Sequence, residues 1–231
     1  MSQTDLPRAD QPRADQADPA DPAARKAGLS GRRGQAARND SVILEAARSV
    51  FLEDAKAPIA AVAERAGVGI SALYRRYASK EDLLRQVCHD GLRLFIAEAE
   101  AAASEPDDWS ALVGFIRRLV AADVHSLTVH LAGTFTPTPE MRRDALRANA
   151  LAAELMDRAR AGGRLRPDVV SADLSLILEG CSAIRVPDAE RTATLRQRYL
   201  AILLAGLAGD GDPPLPGPPP DGTESNWRWR R

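Results

Sequence analysis

The chain has 231 residues, with 31 Lys+Arg against 32 Asp+Glu, 45% hydrophobic residues and two cysteines. That length supplies a sizeable core for one or two domains and excludes a mini-protein held by disulfide staples. A formal charge of −1 argues against a partner gripped through its phosphates, provided the charge is evenly spread.

The charge is unevenly spread. Residues 1–24 carry two basic and five acidic side chains, whereas residues 25–85 carry twelve and seven, a net of +5. Residues 86–208 carry fourteen and sixteen, and residues 209–231 three and four. A basic module is thus cancelled by acidic surroundings.

The N-terminal stretch holds four of the 16 prolines and the near-repeat PRADQPRADQ from Pro7 to Gln16. It is too polar and proline-broken to bury surface against the entropy of ordering, so residues 1–35 are expected to be a disordered tail. No apolar core follows a basic stretch at the start, which predicts no signal peptide. Cys88 and Cys181 are far apart, lack metal-ligand spacing and fall at helical core positions. They read as packed thiols in a reducing, cytoplasmic setting.

From about residue 36 to residue 208 the periodicity is helical and no segment alternates in the strand manner, so an all-α fold is expected. Asn39, Asp40 and Ser41 offer caps to a first helix with the apolar stripe Ile43, Ala47 and Phe51. Pro58 suits the first position of a second helix, whose Ile59, Val62, Ala63 and Ala66 share one face. Gly67-Val68-Gly69 then stops that helix and starts another: Gly67 takes the left-handed conformation, Val68 plugs the corner and Gly69 caps. In the next helix Ile70, Leu73 and Tyr77 are expected to face inward, which turns Ser71, Ala72, Tyr74, Arg75 and Arg76 outward. Two short helices joined by a glycine-bearing turn, the second with small residues at its start and cations further on, match helix-turn-helix geometry over about residues 59–78.

The stretch AVAERAGVGISALYRRYASKEDLL resembles the N-terminal signature of the TetR family of bacterial transcriptional regulators. Ala63, Ala66, Gly67, Val68, Leu73, Tyr74, Lys80 and Leu83 stand where the signature has them, with Val62 for its Ile and Tyr77 for its Phe. Gly69 departs from the usual capping Ser, a change that costs a few tenths of a kcal/mol, and Pro58-Ile59 replaces the usual Thr before the second helix. The resemblance implies a three-helix DNA-binding domain over residues 36–84 and a helical ligand-binding and dimerisation domain over residues 85–208. It implies that Tyr74 and Lys80 contact the DNA backbone, that Ser71, Ala72 and Arg75 meet bases, and that Arg76 is a phosphate ligand. Arg75 can offer a bidentate guanidinium to a guanine. Arg32, Arg33 and Arg38 can enter a minor groove as an arm or serve as a solubilising linker.

Further along, Lys80 to Ala103 reads as one long amphipathic helix, and Asp107 and Asp108 open another with the stripe Leu112, Phe115, Ile116 and Leu119. Thr136-Pro137-Thr138-Pro139 breaks the chain before a helix from Glu140, which Gly162-Gly163 ends. Leu174, Ile177, Leu178, Cys181 and Ile184 make the next stripe. The last helix, after Pro187, is apolar on two sides, Leu195, Tyr199 and Leu203 on one and Leu200, Leu204 and Leu207 on the other, so it must pack twice. The resemblance assigns the last two helices to a homodimer whose recognition helices lie about 34–36 Å apart. Candidate effector linings are Trp109, His125, Thr128, His130 and Asn149. Residues 209–231, with six prolines, are expected to be a disordered tail ending in NWRWRR, where Trp227 and Trp229 alternate with arginines.

Enzymatic motifs are missing from the sequence: it holds no glycine-rich phosphate loop, nucleophile elbow or metal-spaced cluster, and His125 and His130, five apart, do not share a helical face. Neither a cofactor nor a metal is expected. The sequence therefore predicts a DNA-binding regulator acting as a ligand-responsive repressor on a palindromic operator, the alternative being a helical adaptor that uses the same module for protein contacts.

Overall fold

A computed structural model describes residues 40–221 and Glu224. The expectations for residues 1–35, for Arg32, Arg33 and Arg38 and for Trp227 and Trp229 fall outside the described residues. The described chain is all-helical: α1 (residues 40–53), α2 (Ile59–Arg65), α3 (Ile70–Arg76), α4 (Lys80–Ala103), α5 (Asp108–Ala121), α6 (Val124–Leu131), α7 (Pro139–Ala161), α8 (Ser171–Ala183) and α9 (Ala189–Leu207). Among the described residues no helix is long and apolar enough to cross a membrane.

Local chemistry sets most of these boundaries. Ser79 caps α4 by accepting from the Asp82 N–H, and Asp107 and Thr138 do the same for α5 and α7. Pro139 occupies the first position of α7, where its missing N–H costs nothing, so that helix begins one residue before the expected Glu140. Pro58 lies one place earlier than expected, as the N-cap of α2 in extended conformation. Gly163, at φ +70°, ends α7 in a Schellman arrangement: its N–H meets the Arg160 carbonyl and the Arg164 N–H meets that of Ala159.

Two apolar clusters hold the helices together. One joins Ile43, Ala47, Val50 and Phe51 of α1 to Ile59, Val62, Leu73, Tyr77, Leu83 and Val87, and reaches Leu127, Leu131 and Met141. The other joins Leu112, Phe115, Ile116 and Leu119 of α5 to Ala99, Leu155, Met156, Leu174, Leu178, Leu200 and Leu204. Continuous α4 contributes to both, so the boundary expected at residue 84 falls inside a helix.

Polar groups fix the crossings. Arg158 of α7 donates to the Ala103 and Glu105 carbonyls and to Asp108, satisfying the end of α4 and tying it to the start of α5. Arg196 of α9 is buried. It pairs with Asp123 at 2.7 Å and donates to the carbonyls of Ser182, in the last turn of α8, and of Ile184, its C-cap. Asp123 itself adopts φ +50° and separates α5 from α6, a break that no glycine or proline marks in the sequence.

The chain after α9 also departs from expectation. Residues 209–215 do not leave the fold as a free tail, because they run against the loop after α7. Arg166 N–H bonds the Leu207 carbonyl, Gly209 N–H bonds that of Arg164, and Leu165 and Ala208 form a β-bridge. The bidentate Arg166–Asp168 pair then holds the segment from both sides, Arg166 donating to the Pro213 carbonyl and Asp168 accepting from the Leu215 N–H, each at 2.8 Å. These two charged side chains offer the backbone the partners that proline-rich sequence cannot supply to itself.

Candidate nucleic-acid interface

The α2–α3 corner is built by backbone chemistry. Gly67, at φ +65°, sends its N–H to the Glu64 carbonyl while the Val68 N–H reaches that of Ala63, a complete Schellman ending. A Cβ on Gly67 would meet nothing within 4 Å, so conformation rather than space demands glycine there. Gly69 caps α3 through its carbonyl, which accepts from Ala72 and Leu73, with no side-chain cap. Arg65 of α2 pairs with Glu53 of α1 at 3.1 Å and donates to Ser49, which fixes the angle at which the corner meets α1.

Leu73 and Tyr77 anchor α3 to the core, and burial raises the Tyr77 phenol above its usual pKa against the opposing pull of Arg76. Ser71, Tyr74, Arg75 and Arg76 are exposed, and Ala72 is half-buried. The structure therefore gathers the predicted reading residues on one outward face. Ile70 is a correction: expected inside, it is 39% exposed, because the first turn of α3 projects past the helices that bury Leu73. It adds an apolar group to the start of the face. Only its place at the edge of the Leu73 stripe, in the first turn, signals this in the sequence.

Lys80 also differs from expectation. Rather than pointing outward toward a phosphate, its ammonium donates to the Ala55 and Ala57 carbonyls at 3.1 and 2.7 Å and lies 5.2 Å from the Phe51 ring centre. Burial lowers its pKa below the ordinary lysine value, with Asp54 opposing the shift. The physical reason is the loop between α1 and α2, whose carbonyls have no helical donors and take the lysine instead.

The effector-lining candidates are not brought together. His130 and Asn149 are exposed, and Thr128 bonds back to its own helix at Val124. Trp109 packs against the second cluster with Arg164 over its ring at 5.7 Å. His125 borders a crevice of about 10 Å³ with Leu119, Cys181 and Arg196, room for about one water. Both cysteines are buried and free, and burial pushes Cys88 up to about 12, so neither is a ready nucleophile.

The comparisons agree with this geometry. Residues 43–87 match the family model described as bacterial regulatory proteins, tetR family, and residues 106–209 match that of the transcriptional regulator SbtR-like C-terminal domain. Among solved structures, the TetR transcriptional regulator SCO0520 from Streptomyces coelicolor is similar at 25% identity and TM-score 0.54, over 73% of this chain and 98% of that one. A TetR regulatory protein from Mycobacterium vanbaalenii is 25% identical with TM-score 0.51, over 76% and 98%. The regulator LfrR from Mycobacterium smegmatis, solved in complex with proflavine, is 22% identical with TM-score 0.51, over 71% and 95%. No curated protein matches. With a helix-turn-helix that presents its second helix outward and family matches on both halves, this chain belongs to the TetR family of transcriptional regulators, DNA-binding proteins rather than enzymes.

Proposed function

We propose that the protein is a homodimeric, ligand-responsive repressor that binds a palindromic operator. The observation that carries the DNA-reading half is the outward face of α3, where Ser71, Tyr74, Arg75 and Arg76 are exposed together while Leu73 and Tyr77 are held in the core. On that face Arg75 reads a guanine, Ser71 and Ala72 allow close approach to base edges, and Ile70 meets a thymine methyl. Tyr74 and Arg76 bind phosphates and set the register. Lys80 acts from behind, bracing the loop between α1 and α2 rather than touching DNA.

The dimer half of the reading rests on apolar surface left open on α8 and α9. Leu176, Tyr199 and Ile202 are exposed, whereas Leu200 and Leu204 fill the core from the opposite side of α9. Tyr199 also packs within 3.5 Å of where a Cβ on Gly180 would lie, drawing the two helices into one surface. A second copy on this face places two α3 helices on successive major grooves. The effector acts by shifting the equilibrium between two spacings of those helices; a small-molecule effector is in keeping with LfrR, a structural relative solved in complex with proflavine.

The test is selection of DNA from a random pool by the purified chain, followed by gel shifts at several salt concentrations. An inverted repeat with half-sites about one helical turn apart is expected, with an affinity that falls as salt rises. Salt-insensitive binding, or recovery of no preferred sequence, would support the adaptor reading instead.

A further inference from the structure

We propose that His89, Glu140 and Asp144 form a site for a divalent transition-metal ion that clamps α4 to α7. His89 lies in the middle of α4, and although it is an imidazole it is only 7% exposed. Its Nε2 stands 2.7 Å from Asp144 Oδ2 on α7. Glu140, one turn before Asp144, lies on the same side of α7, and one ligand atom from each of the three residues falls within 4.8 Å of the others.

The donor set suits a borderline ion. One imidazole nitrogen and two carboxylates match zinc, cobalt or nickel better than calcium or magnesium, which favour all-oxygen shells. At metal–ligand distances of about 2.0–2.2 Å, tetrahedral ligands lie about 3.3 Å apart. The His89–Asp144 contact therefore opens by roughly half an ångström as the metal takes the place of the proton between them. The bound imidazole is neutral with its one proton on Nδ1, and any second proton it carries is released to solvent as the metal binds. Two carboxylates and a neutral imidazole leave the cluster two negative charges, which a divalent ion balances.

One cation already faces the cluster. Arg93 lies 3.2 Å from Glu140 and 3.9 Å from Asp90. It is about half exposed, and a solvent-screened surface pair of this kind is weak, so it yields Glu140 to a metal. The exposed Glu140 end leaves a fourth position open to solvent, whereas the His89 end is closed by packing.

The position of the site gives it a use. α4 begins at Lys80, whose ammonium is bonded to the Ala55 and Ala57 carbonyls beside α2. Resetting the spacing of α4 against α7 at this site thus shifts the helix that carries the reading head. This consequence for DNA rests on the function proposed above, whereas metal binding itself does not.

Calorimetry on the full chain, purified without a histidine tag and stripped with chelator, tests the site with zinc chloride alone. One ion per chain is expected. Glu140→Gln and Asp144→Asn should each weaken it at least about tenfold, the scale on which even groups that merely orient a ligand act. Glu140 is exposed, so Glu140→Gln should melt within about 2 °C of the parent in the absence of metal, which separates ligand loss from misfolding. No saturable binding, or binding of equal strength in both variants, overturns the proposal. A zinc-dependent change in gel-shift affinity that Glu140→Gln abolishes would extend it to regulation. Zinc binding with no such change would confine it to the clamp and count against the proposed coupling alone.

Discussion

Arg75 and Lys80 are five residues apart and carry the same charge, yet their surroundings differ. Arg75 is exposed on the outer face of α3, and among the described residues no ion pair occupies it. Arg75→Ala should cost about 1–3 kcal/mol on the preferred operator and little on sequences changed at the base it reads, measured as gel-shift affinity across operator variants. Equal weakening at every site would make it a phosphate contact. Lys80 faces inward, and Lys80→Met removes the donor for two carbonyls, one of them belonging to buried Ala57. The expected result is a loss of about 1–3 kcal/mol in unfolding free energy, read from urea melts, with the salt slope of DNA binding unchanged. A slope reduced by roughly one would restore the phosphate role. The contrast marks what single residues disclose. Gly67 and Leu73 are legible because their roles depend on neighbours within a few positions. The role of Lys80 depends on carbonyls 25 and 23 residues upstream, and His89 depends on a carboxylate 55 residues downstream, so neither partner is visible in local spacing.

Helix boundaries follow the same division. α4, α5 and α7 begin at caps written into adjacent residues, and Gly163 ends α7 by its own conformation. The break between α5 and α6 has no glycine or proline to announce it. It depends on Asp123 in a left-handed conformation, with its carboxylate bonded to Ser126 and to Arg196 of a distant helix. The segment after α9 was equally hidden, since proline-rich sequence reads as tail until a specific ion pair takes hold of it. Hydrogen bonds from Arg166, then from the Leu215 N–H, hold the Asp168 carboxyl well below its usual pKa. A carboxylate with a depressed folded pKa stabilises fully above its unfolded value of about 3.9, and that contribution is lost as pH falls through the folded value. The attachment of residues 209–215 should therefore be indifferent to pH between 7 and 5. Asp168→Asn should loosen it at pH 7, seen as faster hydrogen exchange at the Leu215 amide with little change at α5. An exchange rate at Leu215 that Asp168→Asn leaves unaltered would mean the segment is held by something other than this pair.

For the whole molecule, the near-zero net charge conceals a division of labour between a reading head rich in arginine and a mildly acidic body. One reading head neutralises few phosphates, so the affinity and salt dependence of the protein should depend on whether two heads are joined. That makes the open face of α8 and α9 the place to intervene. Ile202 is 63% exposed, so the isolated chain gives up little core by its replacement, whereas a carboxylate there is buried twice by symmetry in a dimer. Ile202→Glu should give a monomer by sedimentation with an unchanged far-ultraviolet spectrum, and the slope of log affinity against log salt should fall by about half. Leu146 on α7 is 71% exposed and lies on neither helix of that face, so Leu146→Glu should leave both dimer and slope intact. If Leu146→Glu dissociated the protein and Ile202→Glu did not, the pairing surface would lie on α7, and the spacing of the two α3 helices would have to be set by a different two-fold axis.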